Sequence, residues 1–283
     1  MSVPNLVLNT GAQIPAISFG SAFEAVPQFS GPLSTATSGE DLVSYALKTG
    51  YYHIDTAESY ETEGVVGEAI KRSGIPREKL FITTKISSKM TDPARNLEQS
   101  LKNLQLEYVD LYLIHSPSLV KNGNIKEIWG KMEELQKSGK TRAIGVSNFS
   151  PEDLEPLLEI AEIKPANNQI EYSPYLRDKK PGTVEFCQKH NILLTAYAPL
   201  TPFLPENKNA PLLPVLEELA KKYNRSPAQI NLNWVYNKGL VPIIISTKPH
   251  HIEDAIGSFD FELDKEDVER ITAVGDTHKF IKW

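Results

Sequence analysis

The chain has 283 residues, of which 40% are hydrophobic and 23% charged, with a formal net charge of −6. These values are typical of a globular protein with an ample core, and the length suits one (β/α)8 barrel. The acidic balance argues against binding of nucleic acid or an anionic membrane, and no apolar run approaches the length of a membrane helix. Cys187 is the lone cysteine and the N-terminus lacks signal-peptide features, so we expect a cytoplasmic protein without disulfides.

The first predicted elements are a β-hairpin and a helix. Short apolar runs at Leu6–Leu8 and Ile14–Ile17 flank Asn9-Thr10-Gly11, a pattern that predicts a hairpin. A loop rich in proline, serine and threonine follows from Pro27 to Ser38, and Ser38 is the predicted N-cap of the first helix.

Strands and helices then alternate along the rest of the chain. The predicted strands are Ala16–Gly20, Tyr52–Asp55, Leu80–Lys85, Val109–His115, Ala143–Ser147, Ala166–Ile170, Leu193–Tyr197 and Leu240–Ser246. The predicted helices include Glu61–Arg72, Pro93–Leu104, Ile125–Ser138 and Pro151–Ala161. Eight such units over residues 1–283 predict a single α/β domain, a (β/α)8 TIM barrel with an N-terminal hairpin and an extra C-terminal helix and tail.

Two common kinds of site have no motif in this sequence. Gly-x-Gly occurs nowhere, so the glycine fingerprint of a Rossmann fold is missing, and any nucleotide must be held in another way. The sequence also has no His-x-His, His-Glu-x-x-His or Cys-x-x-Cys pattern, so we expect no metal site.

Four residues with acid–base chemistry stand at or just past the ends of three consecutive predicted strands: Asp55, Tyr60, Lys85 and His115. The carboxyl ends of barrel strands are where such folds place catalysis. Reduction of a carbonyl needs a proton donor, and an ammonium near a phenol lowers the phenol pKa from about 10. An aspartate would hold Lys85 charged, and His115 could orient the substrate oxygen.

Each of these residues has a simpler interpretation. Asp55 could cap the next helix, Tyr60 could be a packing residue, and His115 could be a hydrogen-bonded core histidine. Lys85 differs, because a lysine that ends an apolar strand needs either a polar or charged partner or a catalytic function. A Schiff-base lyase with Lys85 as nucleophile stays an alternative to reductase chemistry.

Several segments together resemble the aldo-keto reductase superfamily, from about Leu6 to Leu263. The matching segments are His53–Ala57 with Tyr60, Lys85, Val109–His115, Gly145–Phe149, Asn168–Glu171 and Ala196–Leu200. The resemblance implies a catalytic tetrad of Asp55, Tyr60, Lys85 and His115, with Tyr60 as general acid. It also implies a monomer that binds NADPH across the barrel mouth and reduces a small carbonyl substrate. A non-catalytic cofactor-binding subunit, as some channel-associated relatives are, is the other alternative.

The matched positions also imply a cofactor site. Ser147, Asn148 and Gln169 carry groups suited to the nicotinamide carboxamide, and Tyr197 offers a ring for stacking. The resemblance adds to the cofactor site Ser21, Asp55, Pro199 and Leu200.

The adenosine end departs from the family pattern. Most relatives carry Lys-Ser and then an arginine, whereas this chain has Ser246, Thr247, a displaced Lys248, and His251 in place of the arginine. Histidine does not replace a bidentate arginine at a 2′-phosphate. We therefore expect a weaker preference for NADPH than is usual, with NADH as a weaker alternative.

The predicted substrate pocket contains Phe23, Tyr60, His115 and Ser116. Ser116 stands where relatives usually have tryptophan, and Phe23 or Ala22 replaces another tryptophan. His115-Ser116-Pro117 and Ser246-x-Lys248-Pro249-x-x-Ile252 resemble the fungal branch that reduces α-keto amides and conjugated polyketones such as ketopantoyl lactone. Activated ketones and aldehydes are therefore the expected substrates.

Overall fold

The computed structural model describes residues 3–23, 38–87, 92–121, 125–177 and 180–278. Strands β1 (Asn5–Val7) and β2 (Gln13–Pro15) pair antiparallel, which confirms the predicted hairpin. Leu8 and Ile14 pack against Phe81 and Leu111, which lie in the first half of their barrel strands. The hairpin therefore covers the amino-terminal end of the barrel, the end opposite the predicted site.

Eight parallel strands close into a barrel, because the last strand pairs with the first. These strands are β3 (Ser18–Gly20), β4 (His53–Asp55), β5 (Phe81–Ile86), β6 (Val109–Ile114), β7 (Thr141–Ser147), β8 (Asn167–Glu171), β9 (Leu193–Tyr197) and β10 (Leu240–Ile244). Each one overlaps a predicted strand, so the predicted (β/α)8 barrel is confirmed.

The helices surround the barrel. They are α1 (Gly39–Thr49), α2 (Glu63–Ser73), α3 (Pro93–Leu104), α4 (Ser118–Lys121), α5 (Ile125–Lys137), α6 (Pro151–Ile160), α7 (Thr183–Lys189), α8 (Leu212–Tyr223), α9 (Pro227–Asn237), α10 (Pro249–Ile256) and α11 (Lys265–Asp276). Ser38 caps α1 as predicted, since its hydroxyl accepts from the backbone N–H of Asp41. The final helix, α11, is the predicted C-terminal helix. The predicted loop from Pro27 to Ser38, except Ser38 itself, and the tail after residue 278 lie outside the described residues.

Burial explains the composition of the central strands. Every residue of β5 and β6 is buried, since one face of each strand meets the barrel interior and the other meets the helices. Among the described helices, none is long and apolar enough to cross a membrane.

Gly145 allows β7 and β8 to approach closely just before the site. A Cβ at this position would lie 2.5 Å from the carbonyl oxygen of Asn167, a distance that no larger residue could adopt without moving the backbone. The resulting register places Ser147 opposite Gln169 at the carboxyl edge of the barrel.

Candidate active site

Lys85 is the centre of the site. Its side chain is fully buried, and its Nζ donates to Asp55 Oδ1 at 2.6 Å, to the Thr56 carbonyl at 2.9 Å and to Tyr60 Oη at 3.3 Å. The structure therefore brings together three of the four residues singled out in the sequence. The Thr56 contact was not anticipated, because a backbone acceptor leaves no mark in the side-chain pattern.

A chain of hydroxyl groups holds the segment that contains Asp55 and Tyr60. The buried Ser21 donates its backbone N–H to the Asp55 carbonyl at 2.9 Å, and its Oγ lies 2.8 Å from Thr62 Oγ1. Thr62 Oγ1 also lies 3.3 Å from Thr56 Oγ1. Ser21, which the resemblance assigns to the cofactor, thus also braces the residues on both sides of Tyr60.

His115 completes the constellation from the end of β6. Its backbone N–H donates to the Ile86 carbonyl at 3.0 Å, and its ring meets the Tyr60 ring edge-on with centroids 5.6 Å apart. Burial, with a smaller contribution from the Lys85 ammonium, lowers the pKa of His115 to about 3. The imidazole is therefore neutral at physiological pH, with one N–H to donate.

The protonation states of Lys85 and Tyr60 follow from competing effects. Burial alone would lower the pKa of Lys85, but the Asp55 carboxylate and the hydrogen bonds to Asp55 and Tyr60 raise it above its ordinary value. Burial raises the pKa of Tyr60, and the Lys85 ammonium opposes this rise without cancelling it. The net direction for Tyr60 is opposite to the one expected from the sequence, because desolvation of the phenolate outweighs its attraction to Lys85. Tyr60 is therefore a neutral phenol that can donate a proton.

The predicted nicotinamide residues form one network with the tetrad. Gln169 Nε2 donates to Asp55 Oδ2 at 2.8 Å, and Ser147 Oγ donates to the Gln169 carbonyl at 2.9 Å. Asn148, in the left-handed region with φ 63°, donates through Nδ2 to the His115 carbonyl at 3.1 Å. Its Oδ1 accepts from Tyr197 Oη at 2.9 Å. Hydroxyl and carboxamide groups therefore lie together at the edge of the site to which the resemblance assigns the nicotinamide carboxamide.

The loop after β9 is fixed from the helix layer. Pro199 is buried, and its carbonyl accepts from Nδ2 of the fully buried Asn231 at 2.8 Å. Leu200 is half-buried against the hydrophobic core. This anchoring sets the position of Tyr197 at the mouth of the barrel.

The residues predicted for the adenosine end gather at the start of α10. Ser246 Oγ accepts from the backbone N–H of Lys248 at 3.1 Å and lies 3.4 Å from His251 Nδ1. Thr247, the residue between Ser246 and Lys248 in the sequence, is half-buried. Burial, together with the neighbouring His250 and Lys248, lowers the pKa of His251, so its ring carries little charge at neutral pH.

The two residues predicted only for the substrate pocket have different surroundings. Phe23 is 6% exposed and packs in the core, with its ring centroid 6.4 Å from that of Phe19. The adjacent Ala22 is half-buried and more accessible. Ser116 is half-buried, and its Oγ accepts from the backbone N–H of Ser118 at the start of α4, at 3.2 Å.

Comparison with known proteins decides the family. Residues 26–276 match the aldo/keto reductase family. The chain belongs to this family. It is 43% identical to the NADPH-dependent alpha-keto amide reductase of Saccharomyces cerevisiae, over 96% of this chain and 91% of that protein. It is 44% identical to the glyoxal reductase of Bacillus subtilis, over 82% of each protein.

A solved structure shows the same fold with the cofactor. The crystal structure of a silkworm aldo-keto reductase complexed with NADPH superposes with a TM-score of 0.87 at 34% identity, covering 96% of this chain and 88% of that one. The hydroxyl, carboxamide and phenol groups at the barrel mouth fit this cofactor. The protein is thus an aldo-keto reductase, an oxidoreductase that reduces carbonyl groups with NADPH, and the resemblance to the fungal α-keto amide reductases is confirmed.

Proposed function

We propose that this reductase acts on aldehydes and activated ketones with Tyr60 as the general acid. The observation that supports this role is the 3.3 Å contact between Tyr60 Oη and a buried Lys85 ammonium, with the His115 ring beside the phenol. A purely structural role rarely requires an acid, an amine, a phenol and an imidazole together at one edge of a barrel. Proton transfer to a developing alkoxide, with a group to activate the acid and one to orient the oxygen, makes use of such a set.

Each residue then has a defined part in the reaction. Bound NADPH supplies the hydride. Tyr60 gives its proton to the carbonyl oxygen, and the Lys85 ammonium stabilises the phenolate that remains. Asp55 keeps Lys85 charged and in place. Neutral His115 donates its ring N–H to the substrate oxygen and so orients the carbonyl.

We propose that the preferred substrates carry a second electron-withdrawing group next to the carbonyl, as in α-keto amides, vicinal dicarbonyls and ketopantoyl lactone-like compounds. The small Ser116 side chain supports this proposal, because it stands where relatives usually have a tryptophan, and without that ring a plain substrate has less surface to bind at this position. An activated carbonyl is more electrophilic, so its reduction depends less on tight binding of the substrate. The relatives named for α-keto amide and glyoxal reduction favour the same class.

A panel of NADPH-oxidation rates tests this substrate class. We expect kcat/KM for an α-keto amide or a vicinal dicarbonyl to exceed that for a monoketone of the same carbon skeleton by at least about a hundredfold, roughly 2.7 kcal/mol in the barrier. The monoketone is the matched control, because only the neighbouring group differs. A protein that prefers plain aldoses or monoketones would contradict the proposal.

The Schiff-base alternative is less well supported. A nucleophilic lysine must be neutral, whereas Asp55 and Tyr60 raise the pKa of Lys85. Failure of borohydride to trap a substrate on the protein would agree with the reductase mechanism. The complete tetrad likewise argues against a non-catalytic subunit.

We propose further that NADPH is preferred only weakly, with NADH as a weaker substitute, since His251 stands at the 2′-phosphate end in place of arginine.

We also propose a monomer in the cytoplasm. Cys187 is the only cysteine, and burial raises the pKa of its thiol to about 11, as suits an inert core residue.

A further inference from the structure

The short 3-10 turn that carries Tyr60 is fastened to its surroundings by the residue at its start. This turn, Glu58–Tyr60, joins β4 to α2 and is closed by two backbone hydrogen bonds, from the Tyr60 N–H to the Ala57 carbonyl and from the Glu61 N–H to the Glu58 carbonyl. Glu58 Oε2 accepts from Asn96 Nδ2 on α3 at 2.9 Å and from the backbone N–H of Ser87 at 3.3 Å. Asn96 is 2% exposed and Glu58 is half-buried, so this contact is partly shielded from water.

Ser87 links the same turn to the strand that carries Lys85. It follows β5 directly, and its Oγ accepts from the backbone N–H of Ser59 at 3.0 Å. The preceding residue, Ile86, accepts from the backbone N–H of His115 through its carbonyl oxygen. Residues 85, 86 and 87 therefore contact Tyr60, the His115 backbone and the Glu58 turn in succession.

We propose that Glu58 is a positioning residue, which holds the Tyr60 hydroxyl at the distance from Lys85 and His115 that proton transfer needs. The proposal rests on the proposed role of Tyr60 as general acid. Glu58 does not touch the reacting atoms. It acts by locking the turn against the end of β5 through Ser87 and against α3 through Asn96.

Substitutions of Glu58 can separate the effect of its hydrogen bonds from the effect of its negative charge. One oxygen of Glu58 accepts both N–H groups, and the carboxamide oxygen of glutamine has two lone pairs for the same purpose. Glutamine can therefore replace glutamate in the turn, whereas alanine removes the acceptor that holds the Asn96 side chain and the Ser87 backbone N–H.

Steady-state kinetics and cofactor binding on the full chain test the proposal. For Glu58→Ala we expect kcat to fall by about tenfold to a hundredfold, as for a displaced catalytic group, with the Kd of NADPH unchanged. Glu58→Gln should keep kcat within about threefold of the wild-type value, because glutamine keeps the acceptor for both N–H groups. Asn96→Ala should lower kcat in the same way by a smaller factor, so the proposal stays testable if Glu58→Ala does not fold.

A matched control is available on α5. Glu133 is also a buried carboxylate, and it accepts from the backbone N–H of Ile163 at 2.9 Å. Glu133→Ala should lose stability without loss of kcat. Wild-type kcat in folded Glu58→Ala, or a Glu58→Gln variant as impaired as Glu58→Ala, would overturn the positioning role. If Tyr60→Phe also kept turnover, the proposed function itself would be wrong.

Discussion

Lys85 and Asp55 form an ion pair with side chains 0% and 4% exposed. Burial of two charges is unfavourable unless each finds further partners. Here Lys85 reaches three oxygen atoms, and Asp55 uses one oxygen for Lys85 and the other for Gln169. The complete set of hydrogen bonds makes the pair tolerable, and its place beside Tyr60 fits the proton transfer proposed for that residue.

This arrangement predicts a separation of stability from activity. Asp55→Asn leaves the buried ammonium without its anion and should lower the free energy of unfolding by about 3 kcal/mol. Adding Lys85→Met removes the unpaired charge, so the double variant should regain much of that loss while staying inactive. Urea unfolding and NADPH oxidation measure the two quantities. An Asp55→Asn protein as stable as wild type would show that the pair is not held as described.

The direction of the Tyr60 pKa shift could not be obtained from residue spacing. The sequence correctly indicated that a lysine would stand near the phenol and favour its ionised form. The opposing desolvation depends on how deeply the phenol lies between β4, β5 and the His115 ring, which only the folded structure determines.

At the scale of the elements, the strands and helix starts were predictable because their signals are local. The buried run in β6 and the serine cap of α1 illustrate this. The turn that contains Tyr60 was not predictable, since the partners of Glu58, Ser87 and Asn96, are 29 and 38 residues away in sequence. The burial of Phe23 depends in the same way on how Phe19 packs, a tertiary contact without a local signal.

The first turn of α10 decides the cofactor preference in this account. Lys248 is the N-cap residue, and the positive end of the helix dipole favours an anion there. His251 adds little charge because its pKa is lowered. We predict that His251→Arg raises the ratio of the NADH Kd to the NADPH Kd by about tenfold or more, since arginine adds a charged hydrogen bond.

Cofactor titrations followed by protein fluorescence measure this ratio. His250→Arg is the matched control, because it adds the same charge at the neighbouring exposed position of the same helix. An equal change in both variants would mean that general charge, rather than the place of His251, determines the preference. No change in either would contradict the assignment of this helix start to the 2′-phosphate.

At the scale of the whole molecule, buried histidines make stability depend on pH. His53 is 1% exposed, its Nε2 lies 3.0 Å from Thr83 Oγ1, and burial lowers its pKa to about 3. The unfolded chain binds a proton at this residue near its ordinary pKa of about 6.5, whereas the folded chain resists it. The stabilisation that His53 contributes is therefore complete above about pH 6.5 and falls as the pH decreases towards 3.

We predict that His53→Gln, which keeps a hydrogen-bonding group for Thr83, loses less stability than wild type on acidification. The slope is about 1.4 kcal/mol per pH unit, so the difference should reach about 2 kcal/mol between pH 7 and pH 5. Urea midpoints at the two pH values give the comparison, and carboxylates shared by both proteins cancel. Parallel losses in the two proteins would mean that His53 is already protonated in the fold.

The role of Tyr60 is tested most directly by single-turnover oxidation of bound NADPH after rapid mixing with an α-keto amide. Tyr60→Phe removes only the hydroxyl, so we predict an unchanged Kd for NADPH and a rate of hydride transfer lower by a factor of about 10² to 10⁴. A Tyr60→Phe protein that transfers hydride at the wild-type rate would contradict the account.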